Sequence, residues 1–357
     1  MAATKKRNAN IELLRMISMF MVVLLHALGK GNLLVNLSDN HGVNAVIAWG
    51  IESLSLSAVN IFILISGYFL INSTFKIGRV IELVCETIFY SLGAFLICLL
   101  FGIETGEKIN TYFLLHTVFP VHMDLFWFLT AYIVIYILQP VISAGAKNIT
   151  EKQFKTTLIV LVIFECLFKS FLPFRFEEDQ FGYNVLWFLI MFLIGAYFRL
   201  YGFKYLNSAK KGFCLYALAS LLIFAENAAI DFVINKTGHL TEIEGVSTEY
   251  NHIFVLLAAI GIFAAFVNMK EREGAFARIV CFLSPMSLGV YLLHENLSLR
   301  YNWQKWLGIY DSLGMPVYMF LPRLFLAALI IYIAGTVVDF VRIKLFEVFG
   351  RIVTREK

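Results

Sequence analysis

Long apolar runs separated by short polar stretches organise the whole chain. They fall roughly at 11–30, 46–70, 79–102, 125–143, 156–173, 183–201, 212–233, 251–269, 277–296 and 317–341. A run of about 18 residues, wound as a helix, is long enough to cross a hydrocarbon core of about 30 Å. The runs are continuously apolar and lack the alternation that strands of a membrane barrel would show, so helices are the expected spanning form. The pattern predicts an all-α polytopic membrane protein of about ten transmembrane helices. With no linker and no repeat, it reads as a single transmembrane domain over 1–357, with a helical core of 11–341 and a tail at 342–357.

Composition sharpens this picture. Of the 357 residues, 60% are apolar and 15% charged, too few polar groups to clothe a soluble protein of this size, and the 35 Phe against 6 Pro exclude a disordered chain. The five cysteines, Cys85, Cys98, Cys166, Cys214 and Cys281, all lie inside apolar runs without metal-ligand spacing, and are read as buried free thiols. The net charge of +4 is small and no basic block exists, so no nucleic-acid partner is expected. The start, MAATKKRNAN before an apolar stretch, has the outline of a signal peptide. It lacks a small-x-small site and carries Arg15 and His26, so it is expected to stay as the first helix.

The basic residues orient the bundle. With the N-terminus inside, most of the 29 Lys and Arg fall on one side. They sit in the N-terminal segment (Lys5, Lys6, Arg7, Arg15), in loops holding Lys76 and Arg79, Lys147 to Lys155, Arg199 to Lys211 and Lys270 to Arg278, and in the C-terminal tail. The rule that positive loops stay inside places both termini in the cytoplasm. The opposite loops are longer, and the last carries Trp303, Trp306 and Tyr310, a composition suited to the membrane interface or to stacking on a sugar. The stretch 340–353 alternates apolar residues with Arg342, Lys344 and Arg351, and reads as an amphipathic helix on the inner leaflet.

An ionisable side chain inside a membrane helix is costly, and each is a site hypothesis. Arg15 and His26 on the first run are eleven residues apart, which at about 100° per residue places them on one helix face, roughly 16 Å apart along the axis. Arg15 lies near the inner end and His26 near the outer end, and Glu12, one turn before Arg15, is placed to pair with it. A guanidinium at the inner mouth suits a phosphate, and a deeper imidazole suits a general base toward a hydroxyl. The structural alternative is an arginine snorkelling to lipid phosphate and a histidine satisfied by a neighbouring helix.

The stretch NIELLRMISMFMVVLLHA resembles the opening of membrane acyltransferase family 3, whose first helix carries Arg, ten residues, then His, as Arg15 and His26 do here. VNIFILISGYFL resembles the family's Phe-Phe-x-x-Ser-Gly-Phe stretch through Phe62, Ser66, Gly67 and Tyr68, with Ile61 in place of the first Phe. FKIGR resembles its basic cytoplasmic loop, keeping Lys76 and Arg79 where many members carry more arginine. MDLFWFLTAYIVIYILQPVI resembles its Leu-Trp-Phe-Leu helix, and SPMSLGVYLLHENL its Tyr-Leu-x-His helix, with Tyr291 and His294. No appended esterase-like domain is seen.

The resemblance implies a membrane-bound O-acyltransferase in the cell (plasma or inner) membrane. It would move an acyl group, usually acetyl, from cytoplasmic acyl-coenzyme A to a hydroxyl of a cell-surface polysaccharide or its lipid-linked precursor. Acetyl-coenzyme A is then a donor substrate, with no tightly bound cofactor and no metal. His26 and Arg15 become the catalytic candidates, His26 as base or acyl carrier. Arg15, Lys76, Arg79, Ser66 and Gly67 become candidates for holding the donor. Trp127, His122, Asp124, Tyr291, His294 and Arg323 become candidates for the acceptor. The competing class is a transporter or exporter of a carbohydrate or lipid, which would more often show inverted repeats and matched helix breaks. No nucleophile elbow, phosphate-binding glycine loop or zinc-protease motif is present.

Overall fold

The structure is a computed structural model that describes residues 7–37, 42–172, 180–202 and 204–355, with side chains described as far as 348. Lys5, Lys6 and Lys357, counted above among the inner basic residues, lie outside it. The elements in chain order are α1 (Ala9–Lys30), α2 (Val43–Ser55), α3 (Ala58–Leu70), α4 (Ile77–Phe101), α5 (Thr111–Val118), α6 (Trp127–Asn148) and α7 (Glu151–Val162). They continue with α8 (Phe168–Phe171), α9 (Val185–Tyr201), α10 (Ala209–Thr237), α11 (Ile253–Asn268), α12 (Gly274–Leu283), α13 (Ser287–His294), α14 (Asn302–Trp306) and α15 (Val317–Arg355). No strand occurs among the described residues.

The all-α expectation holds, and among the described residues eight helical segments are long and apolar enough to cross a membrane rather than ten. The segment expected at 156–173 carries Lys155, Glu165 and Lys169 on or beside it and is broken by a π-helical turn at Ile163–Leu167. The segment expected at 183–201 is the 17-residue α9. Some spans are compound. Val43–Leu70 joins α2 and α3 across Leu56–Ser57, and Gly274–His294 joins α12 and α13 through a 3-10 turn at Pro285.

α1 is built to stay whole. The Asn8 side chain accepts from the backbone N–H groups of Asn10 and Ile11, which would otherwise be orphaned at the helix start. Glu12 in the first turn and Lys30 in the last suit the helix dipole. The Glu12–Arg15 pair expected from spacing is not formed: the Ser284 hydroxyl donates to Glu12 at 2.6 Å, an interhelical partner that local spacing cannot reveal. α1 also lies where two apolar cores meet. Ile11 and Leu14 belong with Trp187, Phe188, Phe192 and Phe263 of α9 and α11, whereas Val23, Leu24 and Leu28 belong with Val290, Phe320 and Leu324 of α13 and α15.

Glycines let particular helices touch backbone to backbone, a common device where apolar side chains alone give lipid and protein neighbours little to choose between. A Cβ on Gly67 of α3 would lie 2.0 Å from the Phe192 carbonyl oxygen of α9, and one on Gly195 would lie 2.2 Å from the Leu64 carbonyl oxygen. Gly335 of α15 meets Val290 of α13 in the same way. Because the obstruction at Gly67 is backbone, Gly67→Ala should destabilise by at least the ~1–3 kcal/mol typical of overpacking. Gly145→Ala on α6, where nothing lies within 4 Å, should be neutral or slightly stabilising. Thermal unfolding midpoints of the two variants in detergent check this; equal midpoints would mean that the α3–α9 contact is not close.

Candidate active site

A cavity of about 580 Å³ runs along α1, with Arg15 toward one end and His26 deeper in. The first end lies where the start of α1, the start of α4 and the late part of α15 meet, and is ringed by Arg7, Arg15, Arg79, Glu82, Glu86 and Arg342. Its middle is apolar, with Met19, Val22, Val59 and Phe62. Its inner part holds His26, Trp127, Tyr250 and Tyr291.

The charges at the open end are mostly spoken for. Arg79 pairs with Glu82 at 2.8 Å. Arg342 holds Asp339 through Nε at 2.7 Å and through a second nitrogen at 3.1 Å, with Glu86 at 3.3 Å. Tyr90 donates to the same Asp339 carboxylate at 3.0 Å, in space that Gly289 leaves open. Arg15 makes no ion pair or hydrogen bond among the described residues. It is therefore a guanidinium available to an anion from outside the chain.

At the inner part the hydrogen bonds assign the protons. His294 Nδ1 lies 2.6 Å from the Val290 carbonyl oxygen, which can only accept, so that nitrogen carries the hydrogen and its Nε2 is an acceptor. His26 Nδ1, 2.9 Å from His294 Nε2, must then be the donor, with Glu295 at 3.4 Å from the same nitrogen. The tautomer follows: His26 carries its hydrogen on Nδ1, and Nε2 keeps a lone pair. Nε2 has no hydrogen-bond partner among the described residues, and the ring is part of the cavity wall. Lys30 holds Glu295 at 2.5 Å, and Gln304 donates to the His26 carbonyl at 3.3 Å. His26, His294 and Glu295 also bring ligand atoms within 4.8 Å of one another, a spacing that suits a metal ion; the Lys30 ammonium already supplies positive charge to that carboxylate.

Of the residues singled out from sequence, Arg15, His26, Ser66, Arg79, Trp127 and Tyr291 line the cavity. Ser66 turns its hydroxyl back to the Phe62 carbonyl at 2.8 Å. Gly67 lies on the α3–α9 contact, and Lys76 is an exposed residue preceding α4. His294 stands behind His26. His122 and Asp124 are exposed in the turn before α6, and burial of the Asp124 carboxyl raises its pKa against the lowering by Thr130 and His116. Arg323 reaches the Leu307 carbonyl at 3.4 Å, beside Gly308, whose φ of +64° turns that loop. Trp303 is buried edge-on against His294, not at an interface.

Glu295, next to His294 in sequence, comes to lie beside His26, as a convergence of these groups on one pocket would require; sequence reasoning missed the Tyr250 ring stacked 5.8 Å from Trp127, and Glu86 and Arg342 at the open end. Glu86 lies within an apolar run and Asp339, which anchors Arg342, lies within the last, so the signal was the one that singled out Arg15. Arg342 itself was assigned to the tail, but α15 continues unbroken through it to Arg355.

A family model described as an acyltransferase domain matches residues 8–338. No curated protein and no solved structure matches the chain. The matched stretch contains the cavity from Arg15 to Tyr291, its helices and the paired histidines, and the chain belongs to membrane acyltransferase family 3.

Proposed function

We propose that this membrane acyltransferase moves an acyl group, acetyl by the habit of its family, from acyl-coenzyme A to a hydroxyl of a cell-surface polysaccharide or its lipid-linked precursor. The observation that carries the reading is one cavity with an unpaired guanidinium toward one end and an imidazole lone pair further in. The basic loops favour the cytoplasm for the Arg15 end, where acyl-coenzyme A is found.

In this reading Arg15 binds the donor's pyrophosphate, the uncharged pantetheine arm follows Met19, Val22, Val59 and Phe62, and the thioester reaches His26. The separation of roughly 16 Å between Arg15 and His26 suits an extended arm. Trp127 and Tyr250 offer aromatic faces to a sugar ring. His26 Nε2 takes the acceptor hydroxyl's proton as the oxygen attacks the thioester carbonyl. The C–S bond then breaks, and the departing sulfur recovers the proton from the imidazolium, which Glu295 stabilises at 3.4 Å.

The test is turnover by the purified protein in lipid nanodiscs with [acetyl-¹⁴C]-coenzyme A, with and without envelope glycan. Label should enter the glycan only when both are present; glycan binding and movement across vesicles without label transfer would favour a transporter. Orientation is checked with Lys108→Cys and Glu244→Cys in a background free of the five native cysteines. Both sites should react with a membrane-impermeant maleimide added outside intact cells, and failure of both would reverse the assigned sides.

A further inference from the structure

A second cavity, of about 480 Å³, lies beside the open end of the first and shares Arg7 and Arg15 with it. Its walls add Tyr68, Phe69 and Arg199. The α3–α9 glycine contact brings Tyr68 of α3 and Arg199 of α9 together: the guanidinium stacks over the ring at 4.9 Å and donates to the phenol oxygen at 3.1 Å. That uses one of its five donors, and the others make no further hydrogen bond among the described residues. Two carboxylates, Glu12 and Glu271, share the wall, and the first accepts from Ser284. The cavity thus offers three guanidiniums, two aromatic rings and a junction with the first cavity at Arg15.

Resting on the acyl-coenzyme A reading above, we propose that this second cavity holds the 3′-phosphoadenosine end of the donor, with Arg199 on the ribose 3′-phosphate and the Tyr68–Phe69 wall against the adenine. Coenzyme A carries two separated anionic groups, its pyrophosphate and its 3′-phosphate, with the adenosine between them. Of the guanidiniums confined to the first cavity, Arg79 and Arg342 are held by carboxylates, so Arg15 there meets only the first. Arg15, common to both cavities, takes the pyrophosphate at the bend, and Arg199 supplies a second, separately placed fork of donors for the terminal phosphate. The stacking on Tyr68 holds that fork in place before the donor arrives, which reduces the ordering cost of binding.

Competition of coenzyme A and of 3′-dephospho-coenzyme A against labelled acetyl-coenzyme A, on the full chain in nanodiscs, tests this. Wild type should prefer coenzyme A by about ten- to a hundred-fold, the worth of a charge-assisted hydrogen bond. Arg199→Ala should lower the affinity for coenzyme A to that for the dephospho form and leave the latter unchanged, a ratio that a general loss of structure would not produce. Arg199→Lys, which keeps the charge without the fork, should restore only part of the preference. A preference that survives intact in Arg199→Ala would overturn the subsite while leaving the donor reading standing. Failure of wild type to bind coenzyme A at all would overturn both.

Discussion

His26→Gln should insert, fold and bind coenzyme A as the wild type does, yet transfer acyl groups about 10²–10⁴-fold more slowly, the usual effect of losing a positioned acid–base group. A sugar hydroxyl is a poor nucleophile at neutral pH, and imidazole is the side chain whose ordinary pKa lies near it. In the structure the Nδ1 hydrogen is committed to His294 Nε2 and the other nitrogen is left with its lone pair at the cavity wall, the state a base requires. Glutamine fills similar space but cannot take the proton. His294→Gln is the informative partner. His294 accepts from His26 through Nε2 and donates to Val290 through Nδ1, so it positions the base without being offered to the cavity. A glutamine oxygen preserves that acceptance in part, and the loss should be smaller and should shift the pH profile of transfer. If His294→Gln is inactive while His26→Gln is close to wild type in single-turnover transfer, the base is His294 and the assignment above is wrong.

Arg15→Ala should weaken donor binding by about a hundred-fold or more, since two parallel charge-assisted hydrogen bonds to a phosphate are lost together. Two of the other arginines at the open end cannot take its place freely. Arg79 is held by Glu82, and Arg342 by Asp339 and Glu86, so recruiting either for a phosphate means breaking an existing pair. Arg15→Lys should recover little, because an ammonium offers a point charge where a planar fork is needed. The effect belongs in the apparent KM for acetyl-coenzyme A and in direct coenzyme A binding. An Arg15→Ala protein with wild-type affinity for coenzyme A would remove Arg15 from the donor site.

Much of this was legible in the sequence because membrane helices announce themselves by continuous apolarity, and because a lone charge in such a run is conspicuous. Arg15 and His26 share one helix, so the period of 3.6 residues alone puts them on one face, and both do line one cavity. Relations between helices were not legible. Spacing proposed Glu12 for Arg15, and the fold gave Glu12 to Ser284. His252, just before α11, is fully buried with Glu226 at 3.2 Å, close to a Lys169–Glu249 pair that is itself buried. Those partners lie far apart in the chain, and periodicity carries no information about which helix a polar side chain will meet. Segments near the limit are hard to count for a related reason: 156–173 passes as apolar on average while carrying charges that only the packing of other helices accommodates.

The unbroken winding of α1 would turn the proposed donor site into a ruler. Its 22 residues run from the Asn8 cap to Gly31 with no proline and no kink-forming pair between Arg15 and His26. Both ends are anchored, by the Asn8 and Asn10 side chains at one and by Gln304 and the His294 contact at the other. A rod of this kind neither stretches nor shortens, so under the proposed function a donor gripped at Arg15 would be measured against His26. The pantetheine arm would be the length gauged, and the acyl group whatever projects past the mark, toward Trp127, Tyr250 and Tyr291. Selection among acyl chains would then need no dedicated pocket: a longer chain would advance into the volume that the acceptor must occupy, and the two substrates would exclude one another by geometry.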